Sequence, residues 1–141
     1  MKIFLLFIIS LTFVINLIWE NSQAFLYKGY ENFWQHFEPC LIASFGDILI
    51  VGVLYLLVSL FFRDFSWVHD PKIGHLFWLS FFGVVIAILV ELWALETLRW
   101  QYSLMPVIPV LRVGLLPVLQ MTVIPPFVFL VAGLLFKKNN L

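Results

Sequence analysis

The chain has 141 residues, 63% hydrophobic, 18% aromatic and 11% charged, with eight basic side chains balanced by eight acidic ones. Soluble domains carry about 25% charged residues, so this chain has too little polar cover for an ordinary water-soluble domain and is too apolar to be disordered. Zero net charge offers no field for nucleic acid, and the single cysteine, Cys40, excludes a disulfide scaffold.

What remains is one integral membrane domain over residues 1–141. A hydrocarbon core of about 30 Å takes about 20 apolar residues in a helix. The first candidate, Ile3 to Trp19, is interrupted only by Ser10, Thr12 and Asn16. Lys2 before it and Ser22-Gln23-Ala24 after it loosely resemble a secretory signal, but the apolar run is long for one. A retained helix is expected. The second candidate, Leu41 to Phe62, holds one charge, Asp47, and the third, His75 to Leu95, holds one, Glu91. The fourth, Val113 to Phe136, holds Gln120 and Pro117, and Pro125-Pro126 removes two backbone donors and predicts a kink. Membrane strands would alternate polar and apolar residues, and the run Val84 to Val90 does not. The expected fold is therefore an all-α integral membrane bundle of four transmembrane helices, the fourth proline-kinked.

Even-numbered spans put both termini and the middle loop on one side. That side carries Lys2, Arg63, Lys72, Lys137 and Lys138, against Lys28, Arg99 and Arg112 opposite. The excess places the N- and C-termini in the cytoplasm. The polar stretch Lys137 to Leu141 reads as a short stop. The middle loop, Arg63 to Gly74, reads as a solvated charged turn, with Asp70-Pro71 starting it.

Depth supplies the candidate site. At about 1.5 Å rise per residue, Asn16 lies about 6 Å inside the outer end of its span, Asp47 about 9 Å, Glu91 about 8 Å and Gln120 about 10 Å. Four polar side chains, one per helix, thus fall within about one turn of each other in depth. Ionisable groups at such depth face inward unless paired or wetted. Two acids at one level favour one protonated carboxyl, or pairing with Arg99 or Arg112. The same residues also fit a plainer role as interhelical hydrogen-bond glue, or an ion or proton path.

Above this layer, Glu20 lies one turn from Asn16 on the first helix, and the following loop holds Tyr27, Lys28, Tyr30, Glu31, Trp34, His36 and Glu38. The third helix exits through Trp93, Glu96, Arg99, Trp100 and Tyr102, and Glu96 with Arg99 is spaced for an ion pair. Much of this aromatic content is the usual interfacial belt. His36 and Cys40 find no further ligands for a metal, so none is expected, nor any cofactor. The apolar segment Met105 to Val110, broken by Pro106 and Pro109, is too short to span and reads as an interfacial lid over the polar layer.

Several strings carry a resemblance: Asn16-Leu17-x-Trp19-Glu20, Leu26-Tyr27, Cys40, Gly46-Asp47, Glu91-Leu92-Trp93, Trp100-x-Tyr102-Ser103, Met105-Pro106, Pro109, Gly114-Leu115-Leu116-Pro117-x-Leu119-Gln120 and Pro125-Pro126. Together they resemble a family of small uncharacterised bacterial four-helix membrane proteins. The resemblance covers most of the chain and implies a multi-pass protein of the bacterial inner membrane, without an activity. Where that family has glycines, this chain has Leu98 or Arg99, and Arg112; an acid before Met105 is also missing. A fainter similarity is to membrane lycopene cyclase domains, which share an acidic helix end, a Trp-x-aromatic exit and a Leu-Pro. It implies a carboxylic acid aimed at an alkene, with Asp47 or Glu91 as donor. The acidic pair expected after Leu116-Pro117 is replaced, with Gln120 nearby.

These readings predict a site that binds or modifies a lipid or isoprenoid-like molecule. Asp47 and Glu91 would be its acid/base or head-group contacts. Asn16, Glu20, Glu96, Arg99, Trp100, Tyr102 and Gln120 would surround the ligand, which enters from the outer leaflet. The partners expected are membrane lipids. Two alternatives stand beside it: a non-enzymatic membrane subunit or assembly partner, and a small transporter. Four helices enclose little volume, so a transporter would work as a dimer, and a homo-oligomer is among the partners expected.

Overall fold

A computed structural model of the chain describes residues 1–137, so Lys138 and the rest of the polar stop at 138–141 lie outside the described residues. The element order is α1 (Lys2–Gln23), a short 3-10 turn (Ala24–Leu26), α2 (Phe33–Phe62), a second 3-10 turn (Trp67–His69), α3 (Ile73–Glu96) and α4 (Leu115–Phe136). No strand forms among the described residues beyond isolated bridges. All four α-helices are long and apolar enough to cross a membrane.

Each helix contributes a narrow inward stripe. Phe4, Ile8, Thr12, Asn16 and Gln23 are buried on α1; Cys40, Ser44, Asp47, Val51, Leu54 and Val58 on α2; His75, Leu79, Gly83, Ala87, Glu91 and Ala94 on α3. These spacings of three and four keep one face turned to the neighbours. The opposite faces present large apolar side chains, including Leu5, Phe45, Leu49, Leu60, Phe77 and Leu89, to the surroundings. Such an exterior suits hydrocarbon and would be costly in water. α4 is the most enclosed helix and packs on both α3 and α1, whereas α2 packs mainly on α1 and less on α3.

The α3–α4 seam is built around the two prolines. Lacking N–H groups, Pro125 and Pro126 leave the carbonyls of Met121 and Thr122 without their helical donors. The α4 helix nevertheless runs unbroken through them. Ser80 Oγ donates to the Thr122 carbonyl at 2.8 Å. Beside it, Gly83 lets the backbone of α3 approach the Met121 carbonyl so closely that a Cβ there would overlap the oxygen. Ser80, Gly83 and Ala87 thus form a small-residue stripe at helical spacing, which permits close contact between membrane helices.

Two expectations need correction. First, α2 begins at Phe33, not Leu41, so Trp34, His36 and Glu38 ride its first turns rather than a loop. Asn32 caps it, accepting from the Gln35 N–H at 3.0 Å, and the Asn-x-x-Gln spacing is a recognised helix start. Pro39 sits inside the helix and does not end it. Second, the middle loop is not simply a solvated turn. Arg63 ends α2 in the left-handed conformation (φ 54), and Trp67 folds back into the core, 2% exposed. Its indole donates to Ser59 Oγ at 2.9 Å. Around Trp67, the rings of Tyr55, His75 and Phe129 close that end of the bundle.

Candidate functional site

At the other end, the helices part. A cavity of about 490 Å³ lies between the first half of α2 and the facing surfaces of α1, α3 and α4. Ala43, Gly46 and Ile50 form its wall on α2, and Ala87, Val90 and Met121 the wall opposite. A Cβ placed on Gly46 would meet nothing within 4 Å, so the space beside it is open. Carboxyls from three helices, Glu20, Asp47 and Glu91, line the same cavity.

Gln120 on α4 organises two of these acids. Its Nε2 lies 2.8 Å from Asn16 Oδ1, 2.9 Å from Glu20 Oε1 and 3.0 Å from Asp47 Oδ2. An amide has two N–H bonds, so three acceptors compete for two protons. Its own Oε1 accepts from Gln23 Nε2 at 3.4 Å, and the Asn16 amide donates to the Thr12 carbonyl at 2.8 Å. Asn16, Asp47, Gln120 and Gln23 are all buried. The helical rise alone thus brought Asn16, Asp47 and Gln120 to one level, and the structure brings them into contact. Glu20 joins them because α1 continues past Trp19 to Gln23, which sets this acid within the helix, one turn from Asn16.

Glu91 lines the cavity but bonds elsewhere. Its Oε2 accepts from the Trp100 indole at 3.3 Å and from the Tyr102 hydroxyl. The Tyr102 oxygen in turn accepts from the Gly114 N–H at 2.7 Å. One phenol therefore ties α3 to the residue before α4. Burial pushes the Tyr102 phenol up from its ordinary pKa, and the adjoining Glu91 carboxyl adds to the shift, which keeps it a neutral donor. Tyr27, beside Trp100 and Tyr102, is raised by burial and then by the carboxyls around it.

The outer loops close over this end. Tyr27 pairs with Tyr102, Lys28 N donates to the Gln101 carbonyl at 2.9 Å, and Ser103 N to the Leu26 carbonyl at 2.8 Å. The segment after Tyr102 turns back on itself. Val107 pairs with Gly114, Met105 and Val113 are buried, and Val110 stands out at the tip. Leu98 and Arg112 adopt left-handed backbone, φ 56 and 55. Glycine takes that region without cost, so a side chain at either position is held there by the surrounding loop.

The remaining singled-out residues lie nearer the surface. Arg99 and Trp100 line the mouth. Arg99 does not pair with Glu96; its guanidinium sits 5.2 Å from the centre of the Trp93 ring. Glu96 is exposed and outside the cavity lining. Arg112 is exposed in the loop. Lining residues not singled out as ligand contacts include Gln23, Tyr27, Lys28, His36 and Cys40. Gln23 carried a signal: it continues the Asn16–Glu20 face of α1 by three residues.

Replacing Tyr102 by phenylalanine removes the donor to Glu91 and the acceptor for the Gly114 N–H. Glu91 keeps the Trp100 indole, but the buried Gly114 N–H is left unpaired, at a cost of about 1–3 kcal/mol. Amide exchange between residues 97 and 114 should accelerate by at least about tenfold, measured by hydrogen exchange in detergent. Unchanged exchange would show that the phenol does not hold the loop.

Among the described residues, no group of three or more His, Cys, Asp or Glu side chains is arranged to hold a metal. Comparison with protein-family models, curated proteins and solved structures finds no match.

Proposed function

We propose that the chain is a multi-pass membrane protein that binds a lipid or isoprenoid-like amphiphile in the cavity between α2 and α3. Both termini face the cytoplasm on the balance of Lys and Arg, so the cavity opens toward the outer leaflet. α4 bends at Pro125-Pro126. The membrane is a bacterial inner membrane on the strength of the sequence resemblance.

The observation that carries this reading is the cavity itself: about 490 Å³, walled by Ala, Gly, Ile, Val and Met, with Glu20, Asp47, Glu91 and Gln120 converging in it. An apolar pocket with a few convergent polar groups is the usual form of a small-molecule site. Helix glue alone would leave no such space, because interhelical hydrogen bonds work best where helices are in contact. Gln120 orients the head group, the acids meet it, and Arg99 and Trp100 guard the entrance.

The test fills the cavity. A Cβ at Gly46 would meet nothing within 4 Å, so the leucine variant should keep the parent's helical content, which circular dichroism checks. Native mass spectrometry and lipid extraction of the purified chain should find a stoichiometric lipid on the parent and none on Gly46→Leu. No such lipid on the parent, or equal retention by the variant, would overturn the reading. A stoichiometric co-purified protein would favour an assembly subunit instead.

A further inference from the structure

Resting on that reading, we infer that the head group taken by the cavity is a primary ammonium. The floor is rich in acceptors and poor in donors. Glu20, Asp47 and Glu91 are each hydrogen-bonded through one oxygen only, Oε1, Oδ2 and Oε2 respectively. Gln23, 3% exposed and lining the same cavity, buries its Oε1 without any partner. The donors present are already spent: the two N–H bonds of Gln120 serve three acceptors, the Gln23 amide donates to Gln120, and Trp100 and Tyr102 both donate to Glu91.

Charge points the same way. Ionised carboxyls in an apolar setting require a paired cation or a proton. The two cationic side chains on the lining are engaged elsewhere: Lys28 Nζ with Gln101 Oε1 at 3.4 Å, and Arg99 with the Trp93 ring. Both are exposed. Among the described residues the ion pair formed is Lys137 with Asp70, at the other end of the bundle. A protonated amine supplies the missing charge and, in three N–H bonds, the missing donors. A phosphate head would add acceptors and negative charge to a floor that already has both in excess. A quaternary ammonium would bring charge but no donors. A hydroxyl would bring one donor and no charge.

The experiment compares heads on a common tail. Dodecylammonium, dodecyltrimethylammonium, dodecanol and dodecyl phosphate are titrated by calorimetry into the full chain, delipidated in maltoside detergent at neutral pH. Dodecylammonium should saturate at a single site and bind at least about tenfold more tightly than each of the others. The Glu20→Gln/Asp47→Asn double variant keeps the hydrogen-bonding shapes and should erase that preference. Glu96→Gln, which removes an acid outside the cavity, should keep it. Equal binding of the trimethyl analogue, or tighter binding of the alcohol or phosphate, would overturn the ammonium assignment while leaving an amphiphile site standing. Saturable binding by none of the four would overturn the amphiphile reading itself. If the double variant fails to fold, the single Gln23→Leu variant takes its place. It should weaken dodecylammonium selectively, and an unchanged preference would overturn the assignment.

Discussion

Alanine at Gly83 should lower the melting temperature of the purified protein by roughly 2–12 °C. The figure combines an overpacking cost of about 1–3 kcal/mol with roughly 2–4 °C per kcal/mol for a domain of this size. The added Cβ would overlap the Met121 carbonyl oxygen and lie 3.0 Å from its carbon. Ordinary carbon–oxygen contacts need about 3.3–3.6 Å, so α3 and α4 would have to part. Parting them also stretches the Ser80–Thr122 hydrogen bond of 2.8 Å, and the carbonyls released by Pro125 and Pro126 lose their shelter. The effect should reach the cavity, because Ala87 on α3 and Met121 on α4 are part of its wall. Gly52→Ala is the matched control. Its Cβ meets nothing within 4 Å, so that variant should melt like the parent or slightly higher. Differential scanning fluorimetry on the two variants decides it; equal melting of Gly83→Ala and parent would remove the close α3–α4 contact as a determinant of stability.

Methionine at Gln120 should have an effect of similar size through chemistry instead of sterics. The side chain keeps its approximate length and loses both N–H donors. Asn16 Oδ1, Glu20 Oε1 and Asp47 Oδ2 then lose the group they share. Each buried acceptor left unpaired costs about 1–3 kcal/mol. Membrane helices recover part of such a loss through new partners, which lowers the average to about 0.6 kcal/mol per bond. A fall of roughly 2–4 kcal/mol therefore follows for the whole junction. The measurable consequence is a lower melting temperature together with a loosened α1–α4 contact, read as faster thiol labelling of Cys40. That cysteine is buried and faces the cavity. Parent-like melting and labelling would mean that the layer is held by the surrounding apolar packing alone.

Legibility of the site in the sequence was uneven, for reasons that particular residues make clear. Depth is a linear quantity: the helical rise converts residue number into height, and it put Asn16, Asp47 and Gln120 at one level before any contact was known. Azimuth is not linear, because it depends on how neighbouring helices roll against one another. Glu91 matches the others in height, yet its carboxyl is claimed by Trp100 and Tyr102 from the loop beyond α3. Glu20, expected around the ligand but above the polar layer, is the third acceptor of the Gln120 junction because α1 runs four residues further than its apolar stretch. The start of α2 has a local signal with a competing one: Asn32 and Gln35 spell a cap, but the charges and Pro39 after them resemble a loop.

The sequence alone determined that the chain forms four helices long and apolar enough to cross a membrane. With 63% of residues hydrophobic and 11% charged, its long apolar runs lack the alternation of strands and satisfy their backbone groups within each helix. Tertiary structure alone decided what the scarce polar groups do. Three carboxyls and two glutamines share one cavity, between the first half of α2 and the facing surfaces of α1, α3 and α4. Hydrophobic burial is non-directional and readable from a list of residues; hydrogen bonds are directional, and their partners exist only once the helices have packed.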